Sequence, residues 1–127
     1  MADQVKQWLE EADTDLAAAA ELPENGPHAR SAFFSQQAAE KSLKALYMFV
    51  YGKALPKTYD VGKLAGDLGA PAALVSAAEP MTADYMASHY PDAAPAVGST
   101  YTAQLAQSRL DDARAVVEWN QGQVGSS

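Results

Sequence analysis

Apolar residues recur along most of this chain at intervals of three and four, the spacing that lines one face of a helix. The first such stretch puts Val5, Trp8, Leu9, Ala12, Leu16, Ala19 and Ala20 on one stripe. It closes in LPENGP, 22–27, where two prolines and a glycine break the pattern. A second helix is expected from about Ala29 to Tyr51, ending near Gly52. A third, shorter one follows, with Val61, Leu64, Ala65 and Leu68 as its apolar side. Thr58 is placed to cap it, and Asp60 falls in the first turn, where a carboxylate meets the positive helix end. Gly69 and Pro71 close it. Leu74, Ala77, Ala78, Met81 and Tyr85 stay in helical phase across Pro80, so the fourth segment is one kinked helix or two short ones. YPDAAPAVG, 90–98, reads as a loop. The last helix is expected from about Ser99 to Asn120, with one stripe of Ala103, Ala106, Leu110, Ala113 and Val117 and a second of Tyr101, Leu105, Val116 and Trp119. Convincing period-two alternation is absent. The pattern predicts an all-α, up-and-down bundle of about five helices over 1–121, with a mobile C-terminal tail at 122–127.

The second helix departs from simple amphipathicity. At about 100° per residue, Phe34, Ala38, Leu43, Ala45, Leu46, Phe49 and Val50 form a broad apolar face. The opposite face carries Gln37, Glu40, Lys41 and Lys44, but also Phe33, Tyr47, Met48 and Tyr51. Aromatic and Met anchors among a few polar groups are the make-up of a partner interface. They also suit a groove in which a ring stacks on a base while Lys41 or Lys44 meets a phosphate. The plain alternative is that another part of the bundle covers this face.

Composition narrows the chemistry. A chain of 127 residues suits one domain and one core. The absence of Cys excludes a disulfide framework, a thiol nucleophile and a Cys-based zinc site. The longest apolar run, ALYMFVY, is far short of the ~20 residues a membrane span needs. The acidic N-terminal stretch lacks the features of a signal peptide, so a cytoplasmic protein is expected. The net charge of −7 opposes general nucleic-acid binding. The charge is uneven, however. Residues 41–63 hold five lysines against Asp60, a net of +4, so the rest of the chain carries −11.

Catalytic constellations are hard to assemble. The two histidines, His28 and His89, form no metal-ligand spacing, and the serines lie in no nucleophile motif. No cofactor or metal is expected. Asp111–Asp112 and Glu10–Glu11 are neighbours that diverge by about 100° on a helix and read as solvated faces. The SHYPD stretch at 88–92 places a titratable ring, a phenol and a carboxylate (His89, Tyr90, Asp92) at a helix end.

Three motifs in order, FFSQQAAEKSLKAL, KTYDVGKL and HYPD, resemble the HEPN domain, the higher eukaryotes and prokaryotes nucleotide-binding domain in its short prokaryotic form. Gln36, Gln37, Ala38, Glu40, Lys41, Leu43, Lys44 and Ala45 match the family's second-helix core in full. Thr58, Asp60 and Leu64 match the next helix start, with Tyr59 where His is common. Tyr90 and Pro91 match the stretch before the last helix, with His89 where Arg is common. The resemblance implies a helical bundle that often pairs with a second copy, and often with a small nucleotidyltransferase, as in toxin–antitoxin-like pairs. Some members are metal-independent ribonucleases with an Arg followed four to six residues later by a His. Here neither Arg30, Arg109 nor Arg114 is followed by such a His. The general base is therefore missing from its expected place. The expectation is a non-catalytic interaction module, with itself, a nucleotidyltransferase-family protein or a nucleotide as partners. The alternatives are a ribonuclease with a displaced pair, such as His89 with Arg109 or Arg114, and a purely structural homodimer. The candidate binding residues are Gln37, Glu40, Lys41, Lys44, Tyr47, Tyr51, Asp60, His89, Tyr90 and Asp92.

Overall fold

The computed structural model describes residues 2–21, 28–53, 61–89 and 102–125. They form five helices: α1 (Ala2–Glu21), α2 (His28–Tyr51), α3 (Val61–Asp67), α4 (Ala72–His89) and α5 (Ala103–Gly125). The all-α bundle expected from the periodicity is the fold observed. Thr58, Asp60 and the 90–98 stretch lie outside the described residues.

Local chemistry explains where the helices stop. After α2, Gly52 adopts φ of 69° and its N–H donates to the Met48 carbonyl at 2.8 Å. After α3, Gly69 takes φ of 83°, while the Ala70 N–H reaches back to Ala65 O at 3.0 Å. Both glycines occupy a left-handed conformation that a Cβ would strain, and the returning bonds satisfy carbonyls a helix end leaves free. At the start of α5, Thr102 Oγ1 accepts from the Leu105 N–H at 3.1 Å. That cap precedes the first helical residue, Ala103; Ser99, near which the start was expected, lies outside the described residues. The helix then runs to Gly125, five residues beyond Asn120. Residues 122–125, expected in the tail, are therefore helical. Their anchor is Val124, which packs on Val5, Ala45 and Met48. Pro80 does not divide α4, which is a single helix around it.

Helix α2 is the centre of the bundle and touches all four others. Along it α1 runs antiparallel: Val5 packs near Met48, Ala12 near Ala38, and Ser31 Oγ donates to Ala19 O at 3.0 Å. Helix α5 runs parallel to α2, with Val117 beside Ala38, Asn120 on Ser42 and Val124 beside Met48. The third side is closed by α3 and α4, whose Leu64, Ala65, Ala78 and Met81 meet Ala39 and Leu43. Small residues at Ala12, Ala38, Ala39, Ala45 and Ala113 let several helices approach one axis at once.

The α3–α4 approach is closest at Gly62. A Cβ there would lie 2.7 Å from Glu79 Cγ and 3.1 Å from its Cα. Gly62→Ala is expected to lower stability, because overpacking costs ~1–3 kcal/mol against ~1 kcal/mol gained in helix propensity. Adding Glu79→Ala removes the Cγ contact and should recover part of the loss in thermal or urea melts. A Gly62→Ala protein more stable than the parent would show that α3 slides freely on α4.

Candidate functional site

The faces assigned to α2 by periodicity are only partly those observed. Ala38, Leu43, Ala45 and Leu46 are buried as expected, but Phe49 and Val50 are 42% and 56% exposed. Both lie in the last turn of α2, after Met48, the last buried residue of the helix. On the opposite side, Met48 is buried against α1 and the end of α5, and Glu40 is buried as well. Those two belong to the bundle, not to a surface. On α5, Val116 of the expected second stripe sits in the main core, while Leu105 and Trp119 are half-buried. The apolar surface left over on α2 and α5 is accordingly smaller than the pattern suggests.

The polar residues of α2 divide into two groups. Lys41 turns toward α1, where its Nζ lies 2.9 Å from Asp15 Oδ2 and 3.8 Å from Glu11 Oε1. It is a clamp between α2 and α1. The other group is a relay along one helix. Gln36 Nε2 donates to Glu40 Oε2 at 2.8 Å, and Glu40 Oε1 accepts from Lys44 Nζ at 2.9 Å. Gln36 is fully buried, the Glu40 side chain is 6% exposed, and that of Lys44 is 33% exposed. The relay carries polarity from the core to the surface at i, i+4 and i+8. It orients one ammonium, with N–H donors left over, on a face shared with half-buried Gln37 and Tyr47 and exposed Tyr51. The Tyr47 and Tyr51 rings lie 4.6 Å apart, tilted by 45°. In the sequence Gln36 reads as a motif residue and not as part of the site. The signal for its role is its four-residue spacing from Glu40.

His89 is the last residue of α4, and Asp60, Tyr90 and Asp92 lie outside the described residues. The acidic neighbours of α5 are not equivalent: Asp111 is exposed, but Asp112 is half-buried. Desolvation raises the Asp112 carboxyl above its usual range, with Arg109 opposing and Asp111 adding to the rise. Among the described residues, no group of three His, Asp or Glu side chains could hold a metal ion, and no helix is long and apolar enough to cross a membrane.

A second buried polar contact joins α5 to α2. Asn120 Nδ2 donates to Ser42 Oγ at 3.0 Å and to Val116 O at 2.8 Å, and Ser42 Oγ donates to Ala39 O at 2.9 Å. Asn120 and Ser42 are fully buried.

A central second helix flanked by α1, α5 and the α3–α4 pair is a bundle with known relatives. The HEPN domain family model matches residues 5–123, and the chain belongs to that family. Two solved structures share the whole architecture. The protein TT1696 from Thermus thermophilus is 31% identical, with a TM-score of 0.80 over 93% of this chain and 96% of that one. ST0689, described as an archaeal HEPN homologue, is 28% identical, with a TM-score of 0.79 over 95% and 98% of the two chains. No curated protein matches.

Proposed function

We propose that this HEPN-family protein is a non-catalytic interaction module and the accessory partner of a small nucleotidyltransferase-like protein, with a nucleotide as a candidate ligand. The observation that carries the reading is the relay from Gln36 through Glu40 to Lys44. A surface lysine with no task needs no buried carboxylate and no buried amide behind it. Burying Glu40 has a desolvation cost, which its two partners offset only if they stay in place. The result is an ammonium held still beside two tyrosines, a pre-organised contact point. The missing Arg-to-His spacing supports the non-catalytic half of the proposal.

The experiment is purification of the full chain from its native cells, with mass spectrometry of what accompanies it, alongside an RNA-cleavage assay. A nucleotidyltransferase-type protein recovered with the parent and depleted with Lys44→Gln is the expected result. Cleavage of single-stranded RNA that persists through repurification and disappears in His89→Ala would replace this reading with the ribonuclease one.

A further inference from the structure

The last turn of α2 has a property that the relay does not account for. Phe49, Val50 and Tyr51 are the large apolar side chains that stand exposed among the described residues, at 42%, 56% and 52%. They are consecutive, so they point about 100° apart and ring the helix instead of lying on one side of it. The end of α2 is therefore an apolar knob. Tyr51 is already held against Tyr47, which lowers the entropy lost when a partner orders it. Beside the knob stand Lys44, with donors left over after Glu40, and exposed Lys53. The chain has no acidic residue from 41 to 59.

Area and charge decide the occupant. The three side chains expose roughly 300 Å² together, given full side-chain areas of about 150–250 Å² for the larger ones. A stable pair of globular copies needs about 800 Å² from each, so the knob alone is too small to hold a second copy. Exposed Lys53, and Lys44 with the donors that Glu40 leaves over, on a chain of net charge −7, select an anionic group. One half-compensated lysine and one exposed lysine are too few for a nucleic-acid backbone, which draws its affinity from many such contacts.

We infer that the C-terminal turn of α2 is the docking point for a short peptide segment of a partner protein, apolar in the middle and bearing a carboxylate that meets Lys44 or Lys53. The inference rests on the interaction-module reading and names its surface. A segment that wraps the turn buries Phe49, Val50 and Tyr51 from three directions, which a flat surface cannot do.

The test places a photo-crosslinking benzoylphenylalanine at position 49 or 51 of the full chain in its native cells, with exposed Thr14 on α1 as control position. The cross-linked peptides are then sequenced. The expected result is one protein captured from 49 and 51 but not from 14, through a peptide that combines apolar residues with Asp or Glu. Lys53→Glu, at an exposed position where folding is not at stake, should lower the yield about two- to fivefold, the worth of one exposed charge contact. Capture of a second copy of this chain, of nucleic acid, or of a peptide without acidic residues overturns the inference. Cross-links from Thr14 alone leave the interaction module standing and remove this surface. A chain that captures no protein from any position removes both.

Discussion

Lys44→Ala lowers the stability of the isolated protein by about 1–3 kcal/mol, more than an exposed i,i+4 pair is worth. Such a pair contributes only ~0.3–0.5 kcal/mol. The difference lies in the partner. The Glu40 side chain is 6% exposed, and the substitution removes its cation while leaving the charge buried. Breaking a fully buried pair costs ~3–5 kcal/mol, and the one-third exposure of Lys44 reduces that figure. Three variants separate charge from packing. Lys44→Arg should retain most of the stability. Glu40→Gln combined with Lys44→Met removes both charges and should lie nearer the parent than Lys44→Ala does. Lys41→Ala, which leaves the partly exposed Glu11 and Asp15 unpaired across α1, should cost less than Lys44→Ala. Urea melts with equal slopes check the ranking. If Lys44→Ala melts with the parent, Glu40 is well solvated and the relay has no structural part. Loss of both stability and partner retention in Lys44→Ala is the signature of a group that holds itself in order to hold something else.

Much of the bundle was legible in the sequence because its helices are long and their ends carry strong chemistry. Gly52 and Gly69 stop α2 and α3 where expected, since only glycine is at ease at φ of 69° and 83°. The core stripes of α1 and α5 are found buried at Val5, Ala12, Ala19, Ala106, Leu110, Ala113 and Val117. Periodicity failed on α2 for a reason that belongs to topology. A helix surrounded on three sides has no single water face, so Glu40 and Met48 are buried where the pattern put solvent. Conversely, Phe49 and Val50 lie exposed in the last turn of α2, which a one-dimensional pattern cannot register. At the other end of the chain, the polar sequence QGQVG concealed a helical extension that depends on one apolar residue, Val124, meeting a cluster from α1 and α2. The candidate site was legible in its spacing: Gln37, Lys44, Tyr47 and Tyr51 do share a face. It was not legible in its partners. That Lys41 belongs to Asp15, and that Gln36 stands behind Glu40, are facts of three-dimensional contact.

Asn120→Asp should be the most damaging isosteric change in the chain, and its damage should depend on pH. Asn120 is fully buried, and its Nδ2 donates to both Ser42 Oγ and Val116 O. An aspartate there puts an oxygen in place of that donor. When ionised it faces the Val116 carbonyl, and only the Ser42 hydroxyl can turn to donate to it. A buried carboxylate with so little compensation takes up a proton in preference to staying charged, so its folded-state pKa lies above the ~3.9 of the unfolded chain. The sign follows. Below about pH 4 the group is neutral in both states, and the variant loses only the second hydrogen bond, about 1 kcal/mol. As the pH rises, the unfolded chain releases the proton and the folded one does not, so the variant loses a further ~1.4 kcal/mol per pH unit until the folded pKa is reached. At neutral pH the total is several kcal/mol, enough to unfold a small domain of ordinary stability. Asn120→Leu with Ser42→Ala removes the donor and its acceptor together and should be far milder, because no charged group is buried and the orphaned Asn120 Oδ1 goes with them. Melting curves of parent and variants from pH 4 to pH 8 check this. A parent–variant gap for Asn120→Asp that stays flat or narrows toward pH 8 would mean that water reaches the α2–α5 seam, and that Asn120 joins the helices no more firmly than a surface amide.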